Sequence, residues 1–557
     1  MTFSFTSWEF WVLFATALAA VQGGRAWWAQ RTATAGAGIE GTDGAGLAVA
    51  AGTVGPWVRP ALLLTFSVAF YALAAGKLLA IMAAAILLNH AAAHAVHRSE
   101  GLPRRLLLAV AVAFNVGLLA TFKYAYFIAD FVPTWRPTGW RLEQWMLPLG
   151  ISFYTFQTLS YLVDVHRGRI SKPANLVAFA TYISFFPQLV AGPIVRAHEF
   201  LPQLQAPWAA LTRSEGRRNL ALIATGFVKK TVLGDVLGSL LVDPVFDAPH
   251  EARGLATMLA LYGYSLQVYA DFSGYTDMAK GMAGLLGIHL PENFRLPYKA
   301  TTPADFWRRW HISLSTWWKD YVYIPLGGNR RFSPVSVAWL AAVLGWVGWQ
   351  WNEAGGWFVL AGTALMLAAV ALMSSGGMKR LATATHVLAV MVLGGLWHGA
   401  HINFLTWGTL NGLALAVWVV VAPHPLPTWA KPLTWFATFH VVVLSRIWFR
   451  AGSLRTWDEA ASGPHPEDAW GTATTLWHSL QHGWTSFPTW EPGVLAGIGL
   501  LIAGYFLHFL PSAWQTKGRN WLETQPAGLL MLVWMAGVAV STLWPMAAAK
   551  PFIYWQF

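Results

Sequence analysis

Residues 302–331 read TPADFWRRWHISLSTWWKDYVYIPLGGNRR. Five Lys or Arg side chains, one histidine and four tryptophans stand in this one block. Its opening has the signature of a helix N-terminus. Thr302 can cap, Pro303 suits the first helical position, and Asp305 complements the dipole in the first turn. The spacing predicts a helix that ends before Pro325, with Gly327 and Gly328 forming a turn. Trp307, His311, Ser315 and Trp318 share one face of it, at i, i+4, i+8 and i+11, and Arg308, Arg309 and Lys319 flank that face. Two readings are open. The block is an interfacial helix with an aromatic belt and snorkelling bases, or it is half buried and lines a polar cavity into which His311 faces.

The rest of the chain sets the context. It has 557 residues, 56% of them hydrophobic and 11% charged, where a soluble domain carries about 25% charged residues. Apolar runs of about 17–25 residues are long enough to cross a bilayer. Such runs are read at 8–22, 60–76, 78–96, 106–129, 147–163, 219–242, 255–287, 333–351, 356–374, 382–398, 402–421, 434–450, 492–511 and 526–546. The expected fold class is therefore an all-α polytopic membrane protein, with 1–557 forming a single membrane domain. Residues 8–22 are read as a first transmembrane helix rather than a cleaved leader, because no basic region precedes the apolar run. The stretch 176–203 is broken by Pro187, Gly192 and Pro193. It is expected to be re-entrant and buried in protein, since lipid does not satisfy broken backbone. Residues 32–58 and 452–490 are expected to be loops.

Charge orients the chain. The basic segments 97–105, 164–172, 213–218, 291–331, 377–380 and 515–519 are assigned to the cytoplasm, and the acid-rich 243–251 and 454–491 to the outside. The net charge of +12 then reflects cytoplasmic loops and contact with the anionic lipid of the bilayer, with no nucleic-acid partner expected. There is no cysteine, which excludes a disulfide framework, thiolate zinc and an acyl-cysteine intermediate on this chain.

A second histidine stands in LGGLWHGAHINFLTWGTLNG, residues 393–412. His398 follows an apolar run and has Gly394, Gly395 and Gly399 close by, glycines that allow close approach of backbone or substrate. Trp397 adjoins it, and His401 and Asn403 are polar neighbours. His398 reads equally as a structural histidine or as an ionisable group facing a bundle interior. Histidine suits proton transfer because its ordinary pKa lies near 6.5. Two histidines beside a basic entrance suggest acyl or phosphoryl transfer. No HExxH, P-loop or GxSxG motif is present, and no ligand-rich spacing supports a metal at His311 and His398.

At this point several long motifs resemble one family. NFRLPYKATTPADFWRRWHISLSTWWKDYVYIPLGGNR and LGGLWHGAHINFLTWGTLNG are similar to the membrane-bound O-acyltransferases, in the branch that O-acetylates alginate. So are residues 147–168, 184–204, 226–235 and 264–288, and the final PFIYWQF. The resemblance covers roughly residues 60–450. It implies a multi-helix bundle with re-entrant segments around a central catalytic tunnel, and an O-acetyltransferase activity. The family histidine of the WHG motif falls on His398, and the branch histidine of the RWH motif falls on His311.

The resemblance further implies a cytoplasmic thioester donor, acetyl-coenzyme A, with no permanently bound cofactor. It implies an extracytoplasmic polysaccharide acceptor, a periplasmic partner of the SGNH-hydrolase type, and a place in the bacterial inner membrane. Arg308, Arg309, Lys319, Arg330 and Arg331 would then attract the phosphates of coenzyme A, or serve only as positive-inside anchors. Trp307, Ser315, Trp318, Trp397 and Asn403 would wall the tunnel. Asp271, Ser273, Tyr275 and Asp277 are expected to satisfy helix ends rather than to support the site. Peptidoglycan or cellulose acetylation, D-alanyl transfer to teichoic acid and a histidine-lined transporter are the competing functions.

Overall fold

Apolar runs become helices because the bilayer offers no partner to a bare backbone, and the described residues contain helices and no strand. The computed structural model describes residues 8–37, 57–125, 127, 147–189, 192–206, 211–334, 336–339, 341, 377–421, 426–452, 466–484 and 491–543. Six stretches among them are long and apolar enough to cross a membrane: Val58–Arg98, Gly101–Tyr124, Gly377–His398, Ile402–Val421, Thr428–Gly452 and Pro492–Phe509. The first is interrupted at Gly76–Leu78, which matches the two runs read there. The runs at 8–22, 147–163, 255–287 and 526–546 appear as the helices Trp8–Ala37, Ile151–His166, Gly254–Leu285 and Ala527–Leu543. The run at 356–374 and most of 333–351, together with the final PFIYWQF, lie outside the described residues. The chain is an all-α, multi-pass membrane protein.

The helices form two compact units. One comprises 1–236, 268–291 and 510–555, the other 237–267, 292–509 and 556–557. In the first, Ile151–His166 is almost entirely buried, its polar Thr155, Gln157, Ser160 and Asp164 included. Asn89 and Asn115 join their helices through reciprocal amide hydrogen bonds of 3.1 and 2.6 Å, the kind of polar glue that apolar helices lack. The broken stretch 176–203 becomes three short, mostly buried helices, Leu176–Ser184, Phe186–Leu189 and Ala197–Gln205. Each is too short to span, and side chains satisfy the backbone freed between them. Tyr182 donates to the Val195 carbonyl at 2.9 Å, and Gln188 donates to the Tyr182 carbonyl at 3.0 Å.

Asp271 and Asp277 sit in the interior of Gly254–Leu285, not at a helix end as expected. Their partners are lysines of the π-helical Lys229–Val236. Lys230 Nζ lies 2.6 Å from Asp235 and 2.7 Å from Asp271, and Lys229 lies 2.6 Å from Asp277. Ion pairing overrides the cap reading because a carboxylate this deep requires a cation.

The second unit holds four of the six apolar spans. Gly377–His398 and Ile402–Val421 cross with their backbones in contact. A Cβ on Gly408 would lie 2.5 Å from the Met391 carbonyl oxygen, and one on Gly412 would lie 3.0 Å from Met391 Cβ. Gly408 and Gly412 form a GxxxG stripe, which lets helices pack by van der Waals contact in lipid. Within 452–490 the structure has a helix, Pro466–Ser479.

Candidate active site

The block 302–331 is not one helix. Pro303–Arg309 starts as expected, with Thr302 accepting the Asp305 N–H at 3.0 Å. It ends at Trp310, whose backbone is extended, and His311 follows in the left-handed region at φ 44°. A second helix, Ile312–Trp318, begins there and continues as the π turn Lys319–Tyr323. A left-handed conformation costs a residue with a Cβ roughly 1–2 kcal/mol, so surrounding contacts must hold it. Asn293 supplies them. Its carbonyl accepts the Ile312 N–H at 2.9 Å. Its side-chain oxygen accepts the Ser313 N–H at 3.2 Å and hydroxyl at 2.9 Å. Such strain tends to persist at functional sites, where the surroundings over-determine it.

The break aims the block inward. Trp307, His311, Ser315 and Trp318 all line one cavity of about 270 Å³. They meet there without continuous helical periodicity, because the kink replaces it. The opposite wall comes from Gly377–His398 and Ile402–Val421, through Val387, Met391, Gly394, His398, Trp407 and Leu415. His311 and His398 thus face the same space, at 1% and 5% exposure. His398 ends its helix inside an aromatic cage, with ring centroids 4.8 Å from Trp397, 5.0 Å from Trp407 and 5.0 Å from Phe449. Trp397 is not a lining residue, but its indole lies 6.1 Å from the His311 ring and so touches both histidines. His311 lies outside the six apolar spans. Burial pushes its pKa down from 6.5 to about 3, so the ring is neutral at physiological pH.

The basic residues divide. Arg308 and Lys319 line the cavity and are otherwise exposed, as rim residues are. Arg309 is tied to Asp305 at 2.9 Å. Arg330 and Arg331 are exposed and stand off the cavity lining. Asn403 is fully buried and spends its amide on the Ala469 carbonyl at 2.9 Å, also off the lining. The sequence pattern does not single out Asn293, Trp407, Phe449 or Tyr323, although Trp407 and Tyr323 line the cavity. Asn293 opens the NFRLPYK motif, and a lone asparagine before a polar helix is the only signal it carries.

An apolar cavity with two histidines and a basic rim suits transfer of a small group under proton-transfer control. The class is that of a multi-pass membrane acyltransferase. The family model for "MBOAT, membrane-bound O-acyltransferase family" matches residues 132–348. The chain is 34% identical over 406 residues to the Pseudomonas putida protein named "Probable alginate O-acetylase AlgI", covering 71% of this chain and 72% of that relative. It is 32% identical over 427 residues to the Helicobacter pylori "Peptidoglycan O-acetyltransferase", covering 71% of each. A shorter match, 33% over 180 residues, reaches the Bacillus subtilis "Teichoic acid D-alanyltransferase", covering 32% of this chain and 45% of that one. The chain belongs to the membrane-bound O-acyltransferase family, and it is an acyltransferase.

Proposed function

We propose that the chain moves an acetyl group from acetyl-coenzyme A in the cytoplasm to a polysaccharide hydroxyl on the outer side of a bacterial inner membrane, with a periplasmic SGNH-type partner completing delivery. The observation that carries this reading is the shared cavity: two histidines face one small apolar space with Arg308 and Lys319 on its rim. An acetyl thioester fits a space of about 270 Å³, and the rim cations suit the phosphates of coenzyme A. The matches to O-acetylating relatives extend over 406 and 427 residues at 34% and 32% identity, against 180 residues at 33% and 323 at 26% for D-alanyl relatives, which favours acetyl as the group carried.

In this mechanism His398 accepts the proton of the acceptor hydroxyl as its oxygen attacks the thioester carbonyl carbon. The tetrahedral intermediate collapses, the C–S bond breaks, and the departing thiolate takes the proton back from His398. His311, held neutral, orients the reacting groups by hydrogen bonding. The polymer that finally carries the acetyl group, after the periplasmic partner, is a polysaccharide such as alginate, in line with the first relative's name.

The test is acetyl transfer from labelled acetyl-coenzyme A by protein in nanodiscs, with the periplasmic partner and polymer supplied. Wild type is expected to transfer, and His398→Ala to lose about 10²–10⁴-fold with its fold intact. Equal rates for the two would remove His398 from the chemistry.

A further inference from the structure

Arg446 lies inside the apolar span Thr428–Gly452 and is 1% exposed. Among the described residues its side chain makes no ion pair, and its Nε is buried without a hydrogen-bond partner. Its contacts are aromatic: the guanidinium carbon lies 4.8 Å over the Trp310 ring and 5.3 Å from the Phe449 centroid. Arg450, one turn on, shows the ordinary arrangement, with a 2.9 Å ion pair to Asp243. A charged residue within an apolar span is costly to desolvate. A cation–π contact returns only part of that cost. Packing alone therefore does not account for an arginine here, because Met or Leu would fill the space with no charge to desolvate.

The two rings it touches are not arbitrary. Trp310 precedes the strained His311 and lines the cavity. Phe449 packs on His398 and Trp407, each at 5.0 Å. The guanidinium thus touches both Trp310, the chain neighbour of His311, and Phe449, which packs on His398. We infer that Arg446 is a positioning residue for acyl transfer, its cation clamping Trp310 and Phe449 so that His311 and His398 keep their mutual geometry. The inference rests on the reading of His398 and His311 as the reacting pair. Misplacement by about 1 Å is enough to cost about 10²-fold in rate, with little effect on donor binding at the rim.

The experiment compares Arg446→Lys, which keeps a cation, with Arg446→Met, which keeps bulk alone, in the same nanodisc assay. Wild type and His398→Ala run first, since an inactive wild type or an active His398→Ala defeats the underlying reading before Arg446 is judged. Expected is a kcat order of wild type, Lys, Met. The Met variant should lose about 10²-fold in kcat with its donor KM and thermal midpoint unchanged, and Lys should recover most of that loss. A Met variant with wild-type kcat, or one that equals or exceeds Lys, reduces Arg446 to packing and overturns the inference. If Met fails to fold, Arg446→Gln takes its place under the same criteria. Failure of both neutral variants to fold also overturns it, because the cation would then serve the fold and not the site.

Discussion

His311 and His398 open onto the same cavity of about 270 Å³, one from a left-handed break between two short helices and the other from the end of a long apolar span. Trp397 touches both rings, so neither histidine is packed independently of the other. Groups that act as a unit give strongly non-additive kinetics. His398→Ala is expected to lose about 10²–10⁴-fold in kcat, and His311→Ala about 10–10²-fold as an orienting group. The double variant should be no slower than His398→Ala alone. Additive losses in kcat would mean that the two rings serve separate steps.

His311 also gives the protein a pH dependence. An unfolded histidine titrates near 6.5, whereas burial holds the folded His311 near 3. Between these values the unfolded chain binds a proton that the folded chain refuses. The stability tied to the neutral ring is complete above about pH 6.5 and is lost as pH falls toward 3. His311→Gln removes this linkage. Thermal midpoints in detergent, measured from about pH 7 down to about pH 4.5, should fall more steeply for wild type than for the glutamine variant. Parallel curves would show that His311 is hydrated rather than buried.

The spans were legible because lipid exposure demands long apolar runs, and those at 382–398, 402–421, 434–450 and 492–511 recur with small shifts. The two histidines were legible from their polar or glycine-rich settings and from the family motifs. The break at Trp310 and His311 was not. Nothing in WRRWHIS requires a left-handed histidine; the requirement comes from Asn293, a tertiary partner earlier in the chain. The rim residues Arg308 and Lys319 and the distant Arg330 and Arg331 look alike in sequence, since all are cations near aromatics. Only the fold separates them. Arg446 carried a readable signal, an arginine in an apolar run with Phe449 three residues on, but its other aromatic partner, Trp310, comes from a remote segment.

Gly394 tests the cavity itself. It lines the space, and a Cβ built on it meets nothing within 4 Å. Gly394→Leu should therefore fold, with better helix propensity than glycine by up to about 1 kcal/mol, while its side chain occupies the cavity. Thermal stability at or above wild type, with loss of most acetyl transfer, is the expected pair of results. Gly408→Leu should do the reverse, because its Cβ would lie 2.5 Å from the Met391 carbonyl oxygen and would force the two spans apart. Full activity in a folded Gly394→Leu would show that acyl groups pass elsewhere.

Lys230 offers a test of the first unit that is independent of chemistry. Its ammonium bridges Asp235 and Asp271, and all three side chains are at most 4% exposed. The desolvation of three charges is offset only while the cation sits between the carboxylates. Lys230→Met fills the space but leaves two buried carboxylates without their shared cation. It should cost about 3–5 kcal/mol, a large share of the roughly 5–15 kcal/mol that holds an ordinary protein folded, and lower the thermal midpoint markedly. Adding Asp235→Asn and Asp271→Asn removes the uncompensated charges, and amides can hydrogen-bond one another across the same gap. The triple variant should recover most of the thermal midpoint. If Lys230→Met alone is as stable as wild type, the carboxylates are hydrated, and the site is wetter than its burial implies. If the triple variant is no better than the single, the lysine is needed for its hydrogen bonds and not for its charge.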